Sequence, residues 1–403
     1  MKRALFVFGL FAFGLLCAAP MLCGCLGPVS LEEYGYVISV GVDTMDEGYY
    51  FTFALQRELS EPGTESEGGA ELLACRAASF DGAVKELESR SPVKLNFSRL
   101  NFFVLSRSAA EGGAVKELLS LSFDSLKIRS SAAVVVAECG ASKFIGGLSS
   151  NNDPNVKKLQ SAVMLDMERS GMVRILSVSR LMEAAAGGAF DYCAPLGEYD
   201  PEVITDMEQK SSESEGKDPL REAGIGAPVG GLKSRVEGTA LFSGLRMTGE
   251  LTREQTMYLN MVCGDFKNGT VTLPCGGESV TLMLRMKRVR RGIKPGEGVL
   301  RAYAEIELEA GVHTAPKGFP EEELDEWLAH EAPALLREKA EETFLICRGA
   351  GSDAMLFGVD AEKQMLFPCE SFAGSWREAY RGLEAEFRFI LVNTDKTSGG
   401  GAL

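Results

Sequence analysis

Two long stretches alternate apolar and polar residues almost without a break, and few architectures accommodate such a pattern. Val280, Leu282, Leu284 and Met286 interleave with Thr281, Met283, Arg285 and Lys287, and Leu300, Ala302, Ala304, Ile306 and Leu308 interleave with Arg301, Tyr303, Glu305, Glu307 and Glu309. Side chains two apart share a face of a strand, so each stretch predicts a strand with one dry and one wet face. The short Lys294-Pro-Gly-Glu-Gly298 between them predicts an antiparallel pair. Folding at that loop puts Arg285 near Glu307 and Lys287 near Glu305. The basic run Lys287–Lys294 could instead face lipid headgroups or nucleic acid, but the chain's formal net charge is -15 and cross-strand pairing accounts for the cations.

The amino terminus carries a different message. Lys2 and Arg3 precede an apolar run from Ala4 to about Leu22, the plan of an export signal. Leu22, Cys23 and Gly24 then place a branched apolar residue three positions before Cys25 and a small one directly before it, as in the cleavage sites of bacterial lipoproteins. A thiol can accept a diacylglyceryl group, and Gly24 leaves the bond accessible, so residues 1–24 are expected to be removed and Cys25 to be acylated. An uncleaved span is the alternative, since the run approaches the roughly 20 residues a bilayer requires. Pro20 and the glycine-bearing exit favour cleavage. No later apolar run of that length occurs, and losing Lys2 and Arg3 makes the remainder still more acidic. The expectation is therefore a body held by lipid on the outer face of the cell membrane, without affinity for nucleic acid.

That body divides by composition. Over residues 26–195, the β-rich Tyr34–Asp43 and Tyr49–Leu55 predict a hairpin around Thr44–Gly48, followed by a polar loop over 60–69 and a strand over 71–78. Helices are expected over 80–88, from a Ser108/Glu111 capping box to about Leu121, along Val156, Leu159, Val163 and Met167, and along Val178, Leu181, Met182 and Ala185. Strands are expected over 100–105 and 132–137, and the early hairpin means that the sheet cannot be purely parallel. Residues 196–232 are acidic and dense in Ser, Gly and Pro, which reads as a flexible linker. In the second body, 233–395, strands around a Ser243-Gly244 turn lead to a Thr252/Gln255 capping box, a helix ending at Gly264, and the alternating pair. A helix starting at Pro320 should kink or break at Pro333. Together these elements predict a multi-domain α+β fold with mixed and antiparallel sheets flanked by helices.

The order of these elements resembles the Ger(x)C family, the lipoprotein C subunits of bacterial spore germinant receptors. The resemblance rests on the lipobox followed by Val37-Ile-Ser-Val-Gly-Val-Asp43, on Ser91–Leu105, on the strand, Gly244 turn, Leu251-Thr252 and helix, and on Asp353-Ala-Met-Leu-Phe-Gly358, Trp376 and the closing strand Glu386–Val392. Arg99 stands where members often carry histidine, and Leu26-Gly27 where they carry Trp-Asp, so the chain resembles a divergent member. The resemblance implies a subunit without catalysis at the spore inner membrane, beside integral-membrane A- and B-type subunits, in nutrient-triggered germination. Direct nutrient binding by this subunit stays open.

Nothing in the residues points to a cofactor, a metal or an active site. Beyond the leader and Cys25 lie Cys75, Cys139, Cys193, Cys263, Cys275, Cys347 and Cys369, an odd number at wide spacing, mostly in apolar surroundings, which predicts buried thiols rather than disulfides. His313 and His330 are far apart, and no nucleophile or metalloprotease motif accompanies them. A lipid-anchored solute-binding protein of a transporter remains the alternative function; it would show two similar lobes around a ligand cleft.

Overall fold

The computed structural model describes residues 34–56, 70–91, 93–119, 128–149, 165, 169–187, 189–202, 233–296, 299–316, 320–368 and 371–393. The leader, Cys25, the 60–69 loop, all but residue 165 of the helix expected along 156–167, and most of the acidic linker lie outside them.

Strands β1 (Tyr34–Thr44) and β2 (Tyr49–Gln56) form the expected antiparallel hairpin, closed by Gly48 at φ 73°. Strand β3 (Ala70–Ala77) adds antiparallel to β2, and helix α1 (Phe80–Arg90) buries Phe80, Ala83 and Leu87 beneath it. On its other side β1 pairs in parallel with β4 (Lys94–Asn96) and β5 (Phe102–Ser106), so the sheet is mixed. Helices α2 (Arg107–Gly112) and α3 (Val115–Leu119) replace the single helix expected here, because Gly113 turns left-handed at φ 82° between them. The cap is Ser106, whose hydroxyl accepts the Ala109 amide, rather than Ser108; β5 runs to Ser106 and leaves no extended residue at 108 to serve as cap. Strand β6 (Ala133–Ala137), helices α4 (Ala141–Ser149) and α5 (Val178–Ala185), and strand β7 (Cys193–Tyr199) continue the parallel run.

The large sheet does not stop at the acidic segment. Strand β8 (Ser234–Ser243) pairs antiparallel with β7 from Cys193↔Leu241 to Tyr199↔Ser234, and β9 (Arg246–Thr252) adds through a turn at Gly244. The order is β3-β2-β1-β5-β6-β7-β8-β9, with β4 beside β1. Residues on both sides of 196–232 thus share one hydrogen-bonded sheet, although composition alone divides them. Its central strands are buried on both faces: Val37, Val40, Phe103 and Val134 belong to one core, and Ile38, Phe102, Val104 and Val135 to another.

Strand β9 runs directly into helix α6 (Arg253–Cys263). Here the capping box is complete: the Gln255 amide donates to Thr252 Oγ1 at 3.2 Å and the Thr252 amide to Gln255 Oε1 at 2.9 Å. The helix ends at Gly264, φ 83°. A second sheet follows, in the order β10 (Asn268–Cys275), β11 (Glu278–Pro295), β12 (Leu300–Thr314) and β13 (Glu384–Asn393). The predicted pair β11/β12 is antiparallel, with Val280, Leu282, Leu284, Ala302, Ala304, Ile306 and Leu308 buried. Its register differs from a simple fold at the loop. A bulge between Met286 and Arg288 places Arg285 opposite Glu309, and gives Glu307 to both Lys287, at 3.3 Å, and Arg288, at 3.2 Å. Between β12 and β13, which are parallel, pass α7 (Glu321–Gly349), α8 (Phe357–Lys363) and α9 (Phe372–Arg381).

Helix α7 continues through Pro333 without the expected break. Trp327, Leu328 and Ala332 before it and Leu336, Ala340 and Phe344 after it are buried in the same core. Burial at both ends offsets a proline cost of about 3 kcal/mol, because leaving the helix would strip one half from the sheet. The result is a mixed α+β molecule.

Candidate functional site: a buried carboxylate junction

Asp353 follows α7 in a tight turn and is 1% exposed. Its Oδ1 accepts the Phe357 amide at 2.9 Å, and its Oδ2 accepts the Gly358 amide at 2.6 Å and the Trp376 indole N–H at 3.0 Å. One side chain thereby satisfies the first free amides of α8 and anchors α9. Leu356, left-handed at φ 63°, lets the chain turn sharply into α8. Closeness is enforced at Gly358, where a Cβ would lie 1.8 Å from the Ala189 carbonyl oxygen.

Asp191, just ahead of β7, supplies the opposite half. Its Oδ1 accepts the Gly244 amide at 2.8 Å and the Arg377 guanidinium at 3.2 Å, while its Oδ2 accepts the Asp353 amide at 3.0 Å. The two carboxylates therefore join four places: the entry to β7, the β8–β9 turn, the turn after α7, and α9. Burial pushes the Asp353 carboxyl up to about 7 against the pull of the Gly358 and Phe357 amides, with nearby Asp191 pushing the same way and the Trp376 indole opposing. The cleft they share with Ser243, Gly351, Tyr380 and Arg381 measures about 70 Å³. Small-molecule sites run to roughly 300–1,000 Å³, so this cleft has room for water and little more.

A buried arginine and a half-buried one repeat the theme. Arg174 donates to Asn260 Oδ1 at 2.9 Å and Asp265 Oδ2 at 2.6 Å, and Asn260 in turn donates to the carbonyls of Gly171 and Val173. Arg291, inside the basic run, donates to Asp360 at 2.7 Å and to the carbonyls of Val262 and Met355, and lies over the Phe357 ring. With Lys287 and Arg288 on Glu307 and Lys294 over Tyr303, that run is largely engaged within the protein. Cross-strand and core pairing, not a headgroup site, describes it.

The other sequence candidates fall as follows. Cys75, Cys139, Cys193, Cys263, Cys275 and Cys347 are free thiols, and burial pushes Cys193 up to about 11, so it is protonated and unreactive. Cys25 and Cys369 lie outside the described residues. His313 and His330 are exposed on β12 and α7. Among the described residues no cluster of three or more His, Cys, Asp or Glu is arranged to hold a metal, and no helix is long and apolar enough to cross a membrane. Asp353 and Trp376 stood in the carboxy-terminal motif. Asp191 and Arg174 carried no local signal, because their partners lie far away in the chain.

Two family models match. The one described as Spore germination protein N-terminal domain covers residues 28–198, and the one described as Spore germination B3/GerAC like, C-terminal covers 237–391. In fold the chain is similar to the crystal structure of the GerBC protein, with a TM-score of 0.53, 14% identity, and coverage of 88% of this chain and 96% of that one. No curated protein matches in sequence.

Proposed function

Because the chain belongs to the Ger(x)C family of spore germination proteins, we propose that it is a non-catalytic, lipid-anchored subunit of a spore germinant receptor, acting beside integral-membrane A- and B-type subunits. The observation that carries this reading is the pair of family matches, in order, over most of the chain. Attachment runs through Cys25: at about 0.8 kcal/mol per buried methylene, the two or three acyl chains of a lipoprotein hold it at the outer face of the membrane. Tethering keeps the folded body at high effective concentration beside its partners, so modest contacts suffice.

The junction supports the non-catalytic part. Asp353 and Asp191 spend their oxygens on amides, an indole and a guanidinium that hold elements together. The two sheets also differ in strand number and order, unlike the paired lobes of a solute-binding protein. The test is a Cys25→Ala replacement in spores. The expected result is loss of the protein from the inner-membrane fraction together with loss of the nutrient response. Membrane retention that resists salt would refute the lipid anchor, and an unchanged response would refute the receptor role.

A further inference from the structure

Strand β13 ends the small sheet, and among the described residues its only strand neighbour is β12. No described strand pairs with its other edge, where alternate residues of the ten turn their amides and carbonyls outward, a template for one more strand. Beside the start of this strand an open groove is lined by Phe344, Leu345 and Arg348 of α7, Arg301 of β12, and Glu384 and Glu386 of β13. Leu345 is 52% exposed and its neighbour Ile346 36%, an apolar flank with nothing described upon it.

The strand that fits this edge must alternate, with apolar residues toward α7 and charges toward solvent, a cation opposite Glu386 and an anion opposite Arg388. Strand β13 has that pattern itself: Ala385, Phe387, Phe389 and Leu391 form one face, and Glu384, Glu386 and Arg388 begin the other. We infer that a second copy of this chain docks here, its β13 antiparallel to the first across a two-fold axis at Phe387. The axis follows from charge. Registers that keep the apolar faces together differ by two residues. Centring on Glu386 sets two glutamates face to face and brings Arg388 only to Glu384, which Arg301 already holds, and centring on Arg388 sets two arginines, whereas centring on Phe387 puts each Arg388 opposite the other copy's Glu386. Glu386 makes no ion pair among the described residues, and Arg388 reaches Glu305 at 3.5 Å while its side chain remains 73% exposed, so both have room for the new contact. The interface is isologous and closes as a dimer.

Sedimentation velocity of the full-length protein in density-matched detergent tests this. Wild type is expected to form a concentration-dependent dimer, Arg388→Glu to weaken it by at least about tenfold, a change of about 1.4 kcal/mol, and Glu386→Arg combined with Arg388→Glu to restore it by rebuilding the pairs in reverse. A monomer at every concentration overturns the proposal. So does a dimer indifferent to Arg388→Glu, a loss that the double exchange does not repair, or association that occurs only with a different protein.

Discussion

Asp353 is held by three N–H donors and is almost wholly buried, and both facts have measurable consequences. Asp353→Ala leaves the Phe357 and Gly358 amides and the Trp376 indole without their acceptor; at about 1–3 kcal/mol for each stranded group, non-additively, a loss of about 3–5 kcal/mol in unfolding free energy is expected. Its titration has a definite sign. The folded carboxyl is pushed up to about 7, well above the 3.8 of an ordinary aspartate, so between those values the native state binds more protons than the unfolded chain. This residue's contribution is therefore fully present below about pH 4 and is lost as pH rises through about 7. Comparing urea unfolding of wild type and Asp353→Asn from pH 4 to 8 isolates it: the wild type should lose stability relative to the variant as pH rises, and parallel curves would contradict the assignment. Gly358→Ala should cost about 3 kcal/mol or more, since the new methyl meets the Ala189 carbonyl, which is backbone and cannot swing aside. Asp353 could be read from its motif with Phe357-Gly358 and Trp376. Asp191 could not, because its partners Gly244, Asp353 and Arg377 are 53, 162 and 186 residues away.

Elements were legible where local chemistry decides them. Helix α6 shows its start in Thr252/Gln255 and its stop in Gly264, and both are as read. Thr252→Ala should cost about 1 kcal/mol, seen as a lower urea midpoint with an unchanged slope. Strand β10 was missed although it alternates: Gly269, Val271, Leu273 and Cys275 are buried between exposed neighbours. Gly269 and Pro274 weaken its strand pattern, yet β10 lies at the edge of its sheet, where a proline forfeits no ladder bond. Pro333 misled in the opposite direction, since the penalty is local and the burial that outweighs it is not. Replacing it with alanine should raise the melting temperature, the gain being some part of the roughly 3 kcal/mol that proline costs within a helix.

At the scale of the molecule, composition suggested two bodies and an acidic connection, and the family matches fall on either side of it. Hydrogen bonding tells more. Strands β8 and β9 complete the amino-terminal sheet, while α6, which follows them without a break, packs in the carboxy-terminal core. Arg107 adds a surface tie, reaching both Glu138 and Glu250. Which distant strands pair is a property of the assembled chain and not of any window in it, so the division at 196–232 was legible as composition and the continuous sheet was not. Such sharing leaves the amino-terminal sheet incomplete on its own, which makes the expressed 26–195 fragment a poor folder compared with one extended to 263.

The proposed function has a single acylated cysteine holding the folded body beside membrane-embedded companions. Mild-detergent isolation of the tagged protein from spore inner membranes, with mass spectrometry of everything recovered, tests it most directly. The expected yield is a mature chain beginning at diacylated Cys25, in constant ratio to two multi-span proteins. Recovery of the chain alone with its leader intact and its cysteine unmodified would contradict it.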